Sequence, residues 1–379
     1  MSDCAFRIGS SDLHRLIRPQ LQDVPLCPHG SVLESELEKL GATRHVIDFS
    51  VNTNPLGPPP GVAKALATVD FSRYPDPDAR PLRAALADRL RVDAHSLLMG
   101  NGSAELIWLI ALAFLEPDDR VLIVGPTFGE YERACKIMGA QVVQYHARMD
   151  QSFRPEPGKI RQLISRLQPK LVFLCNPNNP TGVLLPSDCI DATLGNSEAL
   201  TIIDEAYATF APEKADFPRP SPSAGRILLR SLTKDYALTG LRLGYVVAEP
   251  ETIEALETVR PPWSVNGMAQ AAGLACLGDP EHLRRSLEAI ETAKRYLYTA
   301  LGALGLHPLG SAANFFLLEV GDAPGFRRQL LEHGCCVRDC TSFGLPQFVR
   351  IGVRTLPECQ TLVEVIANVL GTQPGRTAS

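Results

Sequence analysis

The stretch KLVFLCNPNNPTG, residues 170–182, decides the fold class. Its first half is a short unbroken apolar run, the mark of a strand buried on both faces. Its second half stops that strand. Two Asn–Pro steps push the asparagines toward extended geometry, and their side-chain amides are then available to donate to a ligand oxygen. The same design repeats on either side. RVLIVG (120–125) is an apolar strand that runs into GPTFGEY, and ALTIIDEA (199–206), GRILLRS (225–231) and LRLGYVVAE (241–249) are further strands. HSLLMG (95–100) and QVVQYH (141–146) extend the series. Helical stretches lie between them: SAELIWLIALAFL (103–115), GEYERACKIMG (129–139, closed by Gly139) and GKIRQLISRLQ (158–168). Apolar strands alternating with helices predict βαβ units, hence an α/β fold with a mostly parallel central sheet and helices on both faces.

A long helical region follows, from about 250 to 304. NFFLLEV (314–320) and FVRIGVR (348–354) then alternate with helices such as PGFRRQLLEHG (324–334), which predicts a smaller α+β unit. A chain of 379 residues suits two domains. The expected organisation is an N-terminal segment (1–50) packing with the small domain, a large domain (51–262), a small domain (263–370) and a disordered tail (371–379).

Bulk composition excludes several functions. The formal net charge of −5 and the lack of a Lys/Arg run argue against a nucleic-acid surface. Ten scattered cysteines with no CxxC pair point to buried thiols in a reducing compartment rather than to a metal site. The N-terminus has no signal-peptide core. The longest apolar run, 106–115, is too short to span a bilayer. A soluble cytoplasmic protein without metal is expected.

In open α/β sheets, ligands bind at the carboxyl ends of the strands, so the loops there hold the chemistry. GNGSAELI (100–107) brings Gly102, Ser103 and Ala104 to a helix start, where free N–H groups and the helix dipole attract an anion. Phe128 in GPTFGEY can stack on a flat ligand. In IIDEAY, Asp204 follows an apolar strand and needs a partner there, such as a protonated ring nitrogen. Tyr207 can donate to a ring oxygen. SLTKDYALTGLRLGY (231–245) sets Lys234 among apolar and hydroxyl residues. Desolvation lowers a lysine pKa and frees its amine to form a Schiff base. Arg242, eight residues on, suits a phosphate dianion.

In this order, NPNNPTG, IIDEAY and SLTK…GLRLGY make the chain resemble the fold-type I pyridoxal-phosphate (PLP) enzymes of the aspartate aminotransferase superfamily, from about residue 29 to 370. The resemblance implies PLP as cofactor and assigns roles. Lys234 is the Schiff-base lysine. Asp204 pairs with the pyridine N–H and keeps the ring an electron sink. Asn179 and Tyr207 bind the ring hydroxyl, and Phe128 stacks on the ring. Ser103, Ala104, Ser231 and Arg242 hold the phosphate beside the Gly102 turn. Tyr74, in SRYPDP, is similar to the tyrosine that reaches the neighbouring subunit's phosphate, which implies a homodimer.

Other strings, including DFSVNTNPLGPPP (48–60), VRDCTSFGL (337–345) and FVRIGVRT (348–355), resemble threonine-phosphate decarboxylases. This implies decarboxylation of L-threonine O-3-phosphate to aminopropanol phosphate, a reaction of cobalamin assembly. Histidinol-phosphate aminotransferases share the cofactor strings but usually read NENP where this chain has NTNP. An aminotransferase acting on histidinol phosphate or a related amine is therefore the alternative. A non-catalytic PLP-binding sensor is another. The expected substrate pocket holds His29, Asn54, Arg338, Arg350 and Arg354. Three arginines can neutralise a carboxylate and a phosphate together.

Overall fold

The computed structural model describes residues 17–21, 24–28, 30–32, 34–39, 46–195, 197–211 and 222–371. The expected contact at His29 and the tail after Gly371 lie outside these residues.

A seven-stranded sheet forms the centre. It contains β2 (Leu97–Gly100), β3 (Arg120–Gly125), β4 (Gln141–His146), β5 (Leu171–Cys175), β6 (Leu200–Asp204), β7 (Arg226–Ser231) and β8 (Gly244–Val247). Their spatial order is β2-β8-β7-β6-β5-β3-β4. All pairings are parallel except those of β8, which runs against both β2 and β7. The mostly parallel sheet expected from the apolar runs is present. Because β2 and β7 both oppose β8, the carboxyl ends of β2, β3, β5, β6 and β7 share one edge.

The side chains of β5 show why these runs are apolar throughout. Leu171, Phe173 and Cys175 face one layer, and Val172 and Leu174 face the other, as the two-residue period of a strand requires. Helices Gly102–Phe114, Glu130–Ile137 and Pro250–Val259 cover the first face through Leu106, Ile110, Tyr131 and Ile253. Helices Pro157–Leu167 and Ser187–Leu194 cover the second through Ile160, Ile164 and Ile190. Each such fully buried side chain contributes roughly 1.5–3 kcal/mol.

A second, antiparallel sheet has the order β11-β12-β9, from Arg338–Asp339, Phe348–Gly352 and Phe315–Glu319. Helices Pro280–Ala303, Ala323–Glu332 and Leu356–Val369 pack around it. The short strands β1 (Ile47–Asp48) and β10 (Cys335–Cys336) pair parallel beside it. The core here joins Phe315, Phe316, Ile351 and Leu362 to Phe49 and to Tyr207 and Phe210, which follow β6. The carboxyl edge of the large sheet therefore abuts the small one. Among the described residues, no helix is long and apolar enough to cross a membrane, and no cluster of potential metal ligands occurs.

Candidate active site

A cavity of about 370 Å³ opens where the two sheets meet. Ser103 and Ala104 line it from the first turn of the helix after β2, and Phe128 from the loop after β3. Asn179 follows β5, Asp204 ends β6, and Tyr207 stands three residues further on. Ser231 ends β7, Lys234 follows within one helical turn, and Arg242 precedes β8. Arg338 and Arg350 enter from the small sheet, where they sit opposite each other on β11 and β12. Parts of the chain far apart in sequence thus converge on one volume.

At the floor, Asp204 is buried. One carboxylate oxygen accepts a hydrogen bond from the Tyr131 hydroxyl at 2.6 Å, and the other from the Ala206 N–H at 2.9 Å. Burial still pushes its pKa up, against the pull of those two donors. A cationic N–H placed in the cavity would stabilise this carboxylate. Lys234 shows the mirror effect. Burial, then the nearby charges of Arg350 and Arg242, lower its pKa from 10.5 to about 8, while Asp204 acts in the opposite direction.

An anion cradle lies at the β2 edge. The 13-residue helix Gly102–Phe114 starts there, and Glu105 reaches back to the Asn101 N–H at 2.6 Å to fix the entry of the chain. Gly102 has φ +78°, and a Cβ on it would lie 2.5 Å from Arg242 Nη2. Gly102 therefore does not line the cavity but lets the guanidinium approach the turn. Arg242 itself has φ +59°, a strained conformation for a non-glycine residue, of the kind that persists at functional sites.

Of the asparagines in NPNNPTG, Asn179 alone reaches the cavity. Asn176 exchanges both of its amide groups with the Leu185 backbone, and Asn178 donates to Pro126 O and Thr181 Oγ1. The Asn176–Pro177 and Asn179–Pro180 bonds are both cis. Asn179 Oδ1 accepts from Arg350 Nη1, and Arg350 Nη2 donates to Ser50 O at 2.7 Å. Arg350 is buried, over the Phe315 ring.

Two expected substrate contacts lie elsewhere. The Asn54 amide donates to Asp235 O at 2.9 Å and to Ser286 Oγ at 2.8 Å, so it braces the lysine turn rather than facing the cavity. The neighbouring Asn52 lines the cavity instead, with its amide 3.5 Å from the Tyr207 hydroxyl. Arg354 pairs with Glu358 at 2.9 Å and is not part of the lining. Glu358 also caps Thr355 in a capping box at the start of the last helix. The string TLPE (355–358) carries that signature, so this engagement of Glu358 was readable. Tyr74 is 80 % exposed and stacks on Trp263 with ring centroids 4.5 Å apart, away from the cavity of its own chain. Tyr131 went unrecognised in the sequence, although it lies in the quoted GPTFGEY. It is set one helical turn after Phe128, so both rings reach the same floor.

Residues 44–366 match the model of the family described as aminotransferase class I and II. The chain belongs to the class I and II aminotransferases. As an aminotransferase it has sequence relatives that cover most of its length. It is 38 % identical to a histidinol-phosphate aminotransferase of Symbiobacterium thermophilum, over 90 % of this chain and 95 % of that one. It is 35 % identical to that of Moorella thermoacetica, over 90 % and 89 %. The histidinol-phosphate aminotransferase of Sinorhizobium meliloti, solved with pyridoxal-5'-phosphate, superposes with a TM-score of 0.82. That match covers 93 % of this chain and 98 % of that one at 24 % identity. The L-threonine-O-3-phosphate decarboxylase of Porphyromonas gingivalis superposes with a TM-score of 0.75 at 29 % identity, over 86 % and 99 %.

The aminotransferase is a PLP-dependent enzyme, and its residues fit that cofactor. The buried Asp204 carboxylate suits a pyridinium N–H, the depressed Lys234 amine suits an aldehyde, and the Gly102 turn with Arg242 suits a phosphate. The Gly102 approach would be closed by a single Cβ.

Proposed function

We propose that this enzyme transfers the amino group of a phosphorylated amine, histidinol phosphate or a close analogue, to 2-oxoglutarate. The observation that carries this reading is the pair Arg338 and Arg350, side by side on β11 and β12 at the cavity wall. An aminotransferase must accept two anionic substrates in turn with one set of cations. Two guanidiniums suit a donor phosphate and then an acceptor dicarboxylate. The three-arginine set that favoured a phosphorylated amino acid, with carboxylate and phosphate bound together, loses Arg354 to Glu358. The curated relatives named above point the same way.

Bound pyridoxal phosphate supplies the electron sink for the substrate α-carbon. Lys234 supplies an amine that is deprotonated above about pH 8 and removes the proton from that carbon. Asp204, fixed by Tyr131, holds the balancing negative charge. Arg350 and Arg338 fix the anionic ends, which decides which bond at the α-carbon is presented for cleavage. Tyr74 and Trp263 form the contact through which a second copy completes each site, so the working unit is a homodimer.

Decarboxylation of threonine phosphate is the second reading. It is supported by the Porphyromonas relative and by Thr53, which stands where histidinol-phosphate enzymes usually carry glutamate. One paired assay decides between them. Purified enzyme with histidinol phosphate and 2-oxoglutarate is expected to form glutamate. With O-phosphothreonine it is expected to release little carbon dioxide. Rapid carbon dioxide release without glutamate formation would reverse the order.

A further inference from the structure

The string RDCTSFG (338–344) folds into a compact turn against the cavity. Asp339 Oδ1 accepts from the Thr341 N–H at 2.8 Å and from Thr341 Oγ1 at 2.6 Å. The Phe343 N–H donates to Cys340 O, and the Gly344 N–H to Thr341 O, both at 2.9 Å. Gly344 closes the turn at φ +76°, where a side chain would be strained. Cys340 anchors it in a small core with Phe348 and Leu345. The acidic neighbour of Arg338 is thus engaged in building the turn.

The product of this turn is a fixed guanidinium. Arg338 Nη2 donates to Ser342 Oγ at 2.8 Å, and its Cζ lies 5.6 Å from the centre of the Phe343 ring. The same nitrogen donates to Pro28 O at 2.8 Å, on the N-terminal segment that covers this wall. A long arginine side chain loses much rotamer entropy when it is ordered. Here two successive side chains and one carbonyl hold it before any ligand arrives.

We propose that Ser342 and Phe343 are positioning residues for a distal anion subsite, holding the Arg338 guanidinium so that the enzyme selects donors carrying a phosphate monoester remote from the amine. This rests on the reading above that Arg338 meets the donor phosphate. Ser342 sets the plane of the guanidinium, and the Phe343 ring supports its face. Pre-ordering the cation favours the phosphorylated donor in binding, so the effect falls on KM.

The test compares histidinol phosphate with histidinol at saturating 2-oxoglutarate. Ser342→Ala is expected to raise KM for histidinol phosphate about tenfold, the worth of a hydrogen bond to a charged group, and Phe343→Leu about threefold. KM for histidinol is expected to shift less than twofold in both. Ser342→Thr and Phe343→Tyr, which keep the hydroxyl and the ring, are expected to restore KM. Equal losses on both donors, or no rescue, would make the turn merely structural and overturn the proposal. Arg338→Gln separates the layers. If it abolishes the preference for the phosphorylated donor while Ser342→Ala and Phe343→Leu are silent, the clamp fails and the reading stands. If Arg338→Gln leaves the preference intact, the reading of Arg338 fails and the clamp falls with it.

Discussion

The surroundings of Lys234 disfavour its charge. Burial is the largest cause, and Arg350 and Arg242 add to it, which brings the pKa from 10.5 to about 8. The unfolded chain keeps that proton up to the ordinary lysine range, while the folded chain releases it near 8. Between those values the unfolded state binds more protons, so in the cofactor-free protein this group makes stability rise with pH through that window. Capture of pyridoxal phosphate by the same protein is expected to accelerate as pH passes about 8 and then level off. Stopped-flow absorbance measures the midpoint, and a midpoint near 10 would show an ordinary solvated lysine. The sequence showed this much: a lysine among apolar neighbours, an acid directly after an apolar strand, an arginine eight residues on. It did not show Tyr131 donating to Asp204, because that contact joins residues 73 positions apart. Nor did it assign Asn52 and Asn54 to their sides, since both sit in one irregular loop without a period.

The inner strands were legible because each carries a short apolar run, such as VLIV in β3 and LVFLC in β5, and burial on both faces demands that composition. The direction of β8 was not. LRLGYVVAE reads as a strand either way. Only the short return from Ser231 through the single turn Leu232–Asp235 makes β8 antiparallel, so that Gly244 lies opposite both Ser231 and Gly100. This places Gly244 against the helix start at Gly102 and Ser103. A Cβ there would meet Ser103 N at 2.7 Å and Arg230 O at 2.9 Å, both of them backbone atoms. Gly244→Ala is therefore expected to cost about 1–3 kcal/mol of stability, as overpacking does. It should also weaken cofactor retention by shifting the Ser103 N–H. Urea unfolding and equilibrium dissociation of pyridoxal phosphate check the two effects, and an unchanged affinity would place the cradle elsewhere. The two-residue strands β1, β10 and β11 are too short to carry any period, so the small sheet was only half readable.

At the scale of the whole molecule, the single chain leaves its most conspicuous aromatic pair in water. Tyr74 is 80 % exposed, Trp263 is 43 % exposed and stacked on it, and Phe71 nearby in sequence is 76 % exposed. Tyr74 and Trp263 come from segments almost 190 residues apart in sequence, so the stack is built by the fold rather than by local chance. We infer a protein interface here, because an exposed aromatic cluster gains by burial against a partner. Tyr74 does not line its own cavity, so any contact it makes with a cofactor phosphate must be in a second copy. Complementation tests this without a structure of the assembly. Lys234→Ala alone is expected to be inactive and Tyr74→Phe alone impaired. A hybrid of the two holds one site with both changes and one site with neither. Co-refolded mixtures should therefore exceed the sum of the separate variants, and sedimentation should give twice the 41.2 kDa of the chain. If Tyr74 serves its own site, every hybrid site carries one change and no activity returns. A species sedimenting at 41.2 kDa with full activity would refute the shared site altogether, and would leave the Tyr74–Trp263 stack as a surface feature unconnected to catalysis.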